Sequence, residues 1–278
     1  MNPKISVIIS TYNRREKLKR ALKSVLDQTF KDFEVIVVDD GSTDDTENVV
    51  KSFSDPRIKY HRIKHFGCDT RPKNVGITLA SAPYICFLDD DNEYRRDALQ
   101  ILYQHMEDKP LIVYGERWVI DDTKQYPASP GYTHYPDYQF LFLRNYIDFG
   151  EMICRKKDLL RVGGIDEKLK KFVDWNLWVR MVKSGVRLKY VPLIIQNYHV
   201  HPQMKSYKIK TPINPNNGLF IPTFDPAECE VHCGCIGKKP KFKVAIFTIT
   251  WNRLEMTKEM AKTMFKTAGY PFDWFVID

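Results

Sequence analysis

Apolar residues over the first hundred positions follow two spacings. The short, mostly apolar runs Ile5–Ser10, rich in β-branched residues, and Phe33–Val38 read as buried strands, and Ile58–Ile63 and Tyr84–Leu88 read as further strands. Between the first two runs, Leu18, Ala21, Leu22, Val25 and Leu26 recur at helical spacing, which predicts an amphipathic helix over about 14–28. Asn13 and Glu16 have capping-box spacing, so Asn13 is expected to cap that helix. Further helices are expected at about 43–53 and 72–80, and another carries Leu99, Leu102, Tyr103 and Met106 on one face. Strands alternating with helices imply right-handed crossovers and a mostly parallel sheet flanked by helices, an α/β Rossmann-like fold. Ligands of such sheets bind beyond the carboxyl ends of the strands. Three polar clusters, Ser10–Tyr12, Asp39–Ser42 and Asp89–Asn92, fall at those ends.

The pattern is less regular further on. Leu111–Glu116 reads as a strand, 121–137 as a loop over the site, 174–183 as a helix, and Arg187–Val191 and Ile194–Tyr198 as two short strands. Residues 202–242 are rich in Pro, Asn, Gly and Lys and read as a linker. The expected domains are 1–206, a linker over 207–242 and a partial unit over 243–278.

Composition adds limits. With 43% hydrophobic residues and no apolar run near the ~20 that span a bilayer, no transmembrane segment is expected. The opening Met1-Asn2-Pro3-Lys4 enters the first strand without a leader-like cleavage site, so a cytoplasmic setting is expected. The net charge is +8, but the basic residues are scattered, which reads as a solvated surface and gives no nucleic-acid partner. Cys86 and Cys154 sit in apolar stretches, where free thiols are commonly buried. Cys229, His232, Cys233 and Cys235 lie within seven residues and offer a possible Zn²⁺ set, against the alternative of unliganded loop thiols.

Three carboxylates at one strand end, Asp89, Asp90 and Asp91, repel one another unless a cation neutralises them. Their oxygens suit Mg²⁺ or Mn²⁺, ions that also bind phosphates; an acidic solvated turn is the alternative. The order of the segments around them is specific. Val7-Ile8-Ile9-Ser10-Thr11-Tyr12-Asn13-Arg14, Val37-Val38-Asp39-Asp40-Gly41-Ser42, Lys73-Asn74-Val75-Gly76 and Phe87-Leu88-Asp89-Asp90-Asp91 resemble successive motifs of family 2 glycosyltransferases. Val162-Gly163-Gly164-Ile165-Asp166-Glu167 and Val173–Arg180 are similar to the later motifs of that family. Asp90-Asp91-Asn92-Glu93-Tyr94 looks most like the spore-coat polysaccharide glycosyltransferase.

The resemblance covers about residues 4–206. It implies a GT-A fold, a nucleoside-diphosphate sugar donor (UDP-, GDP- or dTDP-linked), a glycan acceptor and inversion at the anomeric carbon. Position by position, it places Ser10, Tyr12 and Asp39 on the nucleotide base and Lys73 near the nucleotide, where the family usually has arginine. It places Asp90 by the ribose or sugar, Asp91 on the metal and Asp174 as catalytic base, against the alternative that Asp174 caps the helix that it opens. Val173 stands where the family usually has Glu. Three consecutive aspartates overfill the Asp-x-Asp pattern, so Asp89 is a further metal candidate. His201, at the end of a predicted strand, could complete the metal site or touch the diphosphate, against the alternative of an ordinary surface histidine. Glu151 and Asp148 are the next candidates for the base. A sugar-nucleotide-binding module without catalysis is the alternative, against which stands the retention of Asp91 and Asp174. A nucleotidyltransferase would carry a glycine-rich basic loop after the first strand, and Thr11-Tyr12-Asn13-Arg14-Arg15 is not one.

The chain also repeats itself. Lys4–Asp39 aligns without gaps on Lys243–Asp278 at an offset of 239. Thr11, Asn13, Arg14 and Glu16 recur as Thr250, Asn252, Arg253 and Glu255, with Trp251 in place of Tyr12. A second transferase domain in a longer chain is the expectation, against the alternative of a terminal strand–helix–strand unit that docks on the first domain and resembles its start by chance.

Overall fold

The run Ile5–Thr11 forms β1, buried along its whole length and flanked on both edges by parallel partners. The structure is a computed structural model and describes residues 2–122, 130–131, 141, 145–201 and the strands 244–249 and 272–277. Among these, β1 pairs with β2 (Phe33–Asp39) and β4 (Tyr84–Asp89), and β2 with β3 (Ile58–Arg62), all parallel. The crossovers are α1 (Arg15–Leu26), α2 (Thr46–Ser52) and α3 (Thr70–Leu79). Leu18, Ala21, Leu22 and Val25 of α1 are buried, as the 3.6-residue spacing requires. Helix α3 lies so close to β1 that a Cβ on Gly76 would stand 2.4 Å from Ile8 Cγ2. Nothing larger than glycine fits there.

The second half of the sheet is mixed. β5 (Glu93–Tyr94) leads into α4 (Ala98–Gln104) and the long β6 (Leu111–Asp121). β7 (Pro130–Gly131) folds back on β6, and a 3₁₀ turn at Phe149–Glu151 precedes β8 (Met152–Arg155). α5 (Lys156–Arg161), α6 (Val173–Lys183) and β9 (Arg187–Val200) follow. The strand order is β3-β2-β1-β4-β8-β6-β9-β5, with β7 on β6 and with β8 antiparallel to both β4 and β6. Apolar side chains fill both faces, one layer including Leu18, Leu22, Leu99 and Leu102 and the other Ile77, Phe87, Leu177 and Trp178. This is a mixed α/β fold of GT-A type.

Three local expectations need correction. Asn13 does not cap α1: the helix starts at Arg15 after an N-cap at Arg14 whose side chain makes no capping bond. Asn13 instead has φ 51, and its Oδ1 accepts from the backbone N–H groups of Thr43 and Asp44, at 2.7 and 3.3 Å. The Asx side chain tolerates the left-handed turn and spends its oxygen on the neighbouring loop. Residues 187–200 form one strand, not two, because the irregularity against β6 near Tyr114–Glu116 is absorbed as a bulge. Pro130–Gly131, within the expected loop, pair with Trp118 and Arg117, while most of 123–144 lies outside the described residues.

Contacts divide the chain into Met1–Thr223 and Phe224–Asp278. Within the second unit, β10 (Val244–Ile249) and β11 (Phe272–Ile277) pair in parallel. Val244 faces Phe272 as Ile5 faces Phe33, so the offset of 239 holds for both strands of the pair. Cys229, His232, Cys233, Cys235, Trp251 and Asp278 lie outside the described residues.

Candidate active site

The parallel register aligns strand ends: Thr11 is level with Asp39, and Ser10 with Asp89. The crevice beyond them is therefore lined by the loops after β1, β2 and β4. Ser10 is buried there. Asp39 Oδ1 accepts from the Ser42 N–H at 2.8 Å and its Oδ2 from the Tyr60 hydroxyl at 2.5 Å. Gly41, at φ +79, makes the turn that brings Ser42 round. Tyr12 stands at the rim, 40% exposed, stacked on His65.

The three aspartates separate. Asp89 Oδ1 accepts from Lys73 Nζ at 3.0 Å, and Lys73, itself buried, also holds Asp69 at 2.6 Å. Asp90 Oδ2 accepts from Thr11 Oγ1 at 2.8 Å. One nitrogen of Arg14, Nη1, reaches both Asp90 Oδ1 at 2.9 Å and Asp91 Oδ2 at 2.8 Å. Burial still holds Asp90 above the ordinary carboxylate range, against the pull of Arg14. His201 Nε2 lies 3.1 Å from the same Asp91 oxygen, with Lys17 Nζ within 3.0 Å of both ring nitrogens. The repulsion expected of this cluster is met by Lys73 and Arg14.

Among the described residues no group of three or more His, Cys, Asp and Glu side chains is placed to hold a metal. Asp91 and His201 nevertheless fit as a protein pair for an ion whose other ligands come from a diphosphate and water. Burial keeps His201 below its ordinary pKa although Asp91 opposes it, which favours the neutral ring that a ligand needs. A carboxylate with an imidazole suits Mn²⁺ better than Mg²⁺. His199, two residues back, is committed elsewhere, between Glu93 and Asp122 at 2.7 Å each.

A second group of carboxylates gathers around α6. Asp174 lies in the first turn of the helix, not at its cap, which is Phe172. Its Oδ2 accepts from Asn145 Nδ2 at 2.6 Å, and its Oδ1 from the Trp175 N–H at 2.8 Å. Loss of solvent and the nearby charge of Asp148 push it up to about 6. Asp148 caps the 3₁₀ turn, and Glu151 completes the capping box. Arg117 Nη1 meets Glu151 Oε1 at 3.0 Å, yet burial with Asp148 beside it keeps Glu151 at about 8. Asp148 is pushed up by burial first and then by the charge of Asp89, so the two acidic groups are electrostatically coupled.

Arg14, His65, Asn145 and Arg117 carry no role in the sequence reading. Arg14 stands inside a quoted motif, and its place two residues after Tyr12 is the available signal. The others are brought in by tertiary contacts alone.

Residues 6–161 match the family model of Glycosyl transferase family 2. The chain is 29% identical over 210 residues to the amylovoran biosynthesis glycosyltransferase AmsB of Erwinia amylovora, covering 70% of this chain and 69% of AmsB. It is 42% identical over 116 residues to the Campylobacter jejuni GalNAc(5)-diNAcBac-PP-undecaprenol beta-1,3-glucosyltransferase, covering 41% of this chain and 38% of that one. Staphylococcus aureus TarS 1–349 in complex with UDP-GlcNAc superposes with a TM-score of 0.60 at 21% identity, over 71% of this chain and 59% of that one. The mannosyltransferase PcManGT of Pyrobaculum calidifontis, in complex with GDP-Man and Mn²⁺, gives 0.57 at 18% identity, over 74% and 59%. The chain thus spans well under two thirds of several of the proteins that it matches.

Proposed function

Because this chain belongs to glycosyl transferase family 2, we propose that it moves a sugar from a nucleoside diphosphate to a glycan hydroxyl with inversion, in polysaccharide synthesis. The observation that carries the reading is the presence of two separate carboxylate sets. Asp90 and Asp91 follow the end of β4 and are held by Arg14, and Asp174 stands in the first turn of α6 with its pKa raised to about 6.

In this reading Ser10, Tyr12 and Asp39 take the base, Lys73 supports the nucleotide loop through Asp89, and Asp90 takes the ribose or sugar. Asp91 and His201 would hold a divalent ion, which lends positive charge to the departing diphosphate. Asp174 accepts the proton of the acceptor hydroxyl as that oxygen attacks the anomeric carbon. The bond to the diphosphate breaks on the opposite face, and the configuration inverts. Asn145 fixes the carboxylate during the transfer. A carboxylate near pKa 6 is ionised at neutral pH and still basic enough to take a proton.

Relatives named for polysaccharide and lipid-linked glycan synthesis support the substrate class, and neighbours bound to UDP-GlcNAc and GDP-Man support a nucleotide-sugar donor. The narrower likeness to the spore-coat enzyme rests on Asp90–Tyr94. The cytoplasmic setting is kept. Residues 243–278 are read as the start of a second transferase domain. The test is Asp174→Asn, expected to bind donor nearly as wild type and to turn over ~10²–10⁴-fold more slowly. Wild-type turnover in that variant would move the base to Glu151 or Asp148.

A further inference from the structure

The residue two before Asp174 departs from local preference in two independent ways. Phe172 has φ 54 and ψ 33, the left-handed region that a bulky L-residue seldom occupies. Its side chain is also 65% exposed, more than any other large apolar residue described. Polar residues such as Asn or Asp would serve this N-cap better on both counts. Strain that is kept in spite of a cheaper alternative concentrates at functional sites.

The ring has an aromatic neighbour. It stands edge-on to the indole of Trp175, with centroids 5.8 Å apart and planes at 80°. Trp175 is fixed in turn: its backbone N–H donates to Asp174 Oδ1 at 2.8 Å, and its indole N–H donates to the Leu141 carbonyl. Phenyl, indole and carboxylate therefore belong to one helical turn, and the phenyl keeps most of its surface in solvent.

We propose that Phe172 is an acceptor-binding residue, against whose open face the sugar ring that offers its hydroxyl to Asp174 stacks. The inference rests on Asp174 being the base. A base must come within ~3 Å of the proton that it takes, so the acceptor ring lies against the first turn of α6. The face of a pyranose that carries axial C–H bonds is apolar. Its polarised hydrogens complement the negative face of an aromatic ring. An exposed phenyl two residues before the base, braced on one side by Trp175, meets that demand, where an aliphatic chain has no aromatic face to offer.

The test is saturation-transfer NMR with glucose, galactose, N-acetylglucosamine and N-acetylgalactosamine as probes. It is run with Mn²⁺ and whichever of UDP, GDP and dTDP binds by calorimetry. Wild type should contact at least one sugar through its C–H face. Phe172→Ala should lose at least three quarters of that signal, Phe172→Trp should keep or raise it, and Phe172→Leu should behave like alanine. Nucleotide affinity within twofold of wild type in each variant shows that the fold is intact. Absence of any sugar contact in wild type, retention of it in Phe172→Ala, or equal binding by leucine overturns the proposal. If no nucleotide binds, or Asp174→Asn turns over normally, the proposed function falls and this inference with it. A normal Asp174→Asn defect with an unchanged Phe172→Ala signal removes the inference alone.

Discussion

His65 lies with its ring on that of Tyr12, centroids 4.1 Å apart and planes inclined by 22°. Asp40 sets this stack. Its backbone carbonyl and Oδ2 lie 2.9 and 3.0 Å from His65 Nδ1, and its two carboxylate oxygens accept from the N–H groups of Phe66 and Gly67 at 2.8 and 3.0 Å. The loop after β3 is thus tied to the loop after β2, and the Tyr12 ring is backed before any ligand arrives.

If Tyr12 receives the nucleobase, removing its backing costs affinity for the base and not for the diphosphate. His65→Ala should weaken binding of the preferred nucleoside diphosphate roughly threefold to tenfold, the range of one aromatic pair. His65→Phe should restore it, and pyrophosphate binding should not change. Calorimetry with both ligands checks this, and equal losses for both would assign His65 a general structural role.

A second expectation concerns the cation. Arg14 occupies the gap between Asp90 and Asp91, so these carboxylates are neutralised by the protein itself. An arriving ion must compete with that guanidinium and gains from the diphosphate. Donor binding should need a divalent cation, and Asp91→Ala should abolish the cation's effect. Undiminished transfer in excess EDTA would refute the metal reading.

Much of this site was legible beforehand because strand ends converge by topology. Once Ile5–Ser10, Phe33–Val38 and Tyr84–Leu88 are read as parallel strands, Tyr12, Asp39 and Asp90 must share a rim. The partners were not legible. That Arg14 would bridge Asp90 and Asp91, 76 and 77 positions away, depends on how α1 leaves β1. Asn13 misled because a capping box and a left-handed Asx turn begin with the same residue. The single long β9 was missed because Val191–Ile194 include Pro192, which reads as a break, whereas the sheet accommodates it at a bulge.

The pH dependence should follow Asp174. The base form is lost as pH falls through about 6, so kcat/KM should drop about tenfold per unit below that value. The charge of Asp148 is one cause of the raised value, and Asp148→Asn should move this limb to lower pH while keeping an oxygen for the Gly150 N–H. Stability has its own sign. Glu151, at about 8 in the folded chain, binds its proton more tightly there than in the unfolded chain, where glutamate titrates near ~4.3. Its contribution is complete below the unfolded value and is lost as pH rises towards 8. Thermal unfolding scans should show Tm falling between pH 5 and 9, by less in Glu151→Gln. A flat Tm in wild type would mean that Arg117 outweighs burial.

The last expectation concerns the repeat. β10 and β11 pair with each other in the register of β1 and β2, at the same offset of 239 in both strands. A chance likeness of two sequences does not require that equality; a shared strand–helix–strand design does. The full-length match also aligns Trp251 with Tyr12 and Asp278 with Asp39, the two residues read as base-binding in the first unit. If 243–278 begin a second transferase domain, they contribute nothing to catalysis by residues 1–206. Every residue assigned above to the donor, the ion or the proton lies at or before His201. A chain ending after residue 206 should then stay soluble and hydrolyse donor at the wild-type rate. A two-strand parallel pair cannot bury its own faces, so the isolated piece 243–278 should be unfolded by circular dichroism. Loss of solubility or of donor hydrolysis on truncation would show instead that the second unit completes the first, and the repeat would then be a docking element of one domain.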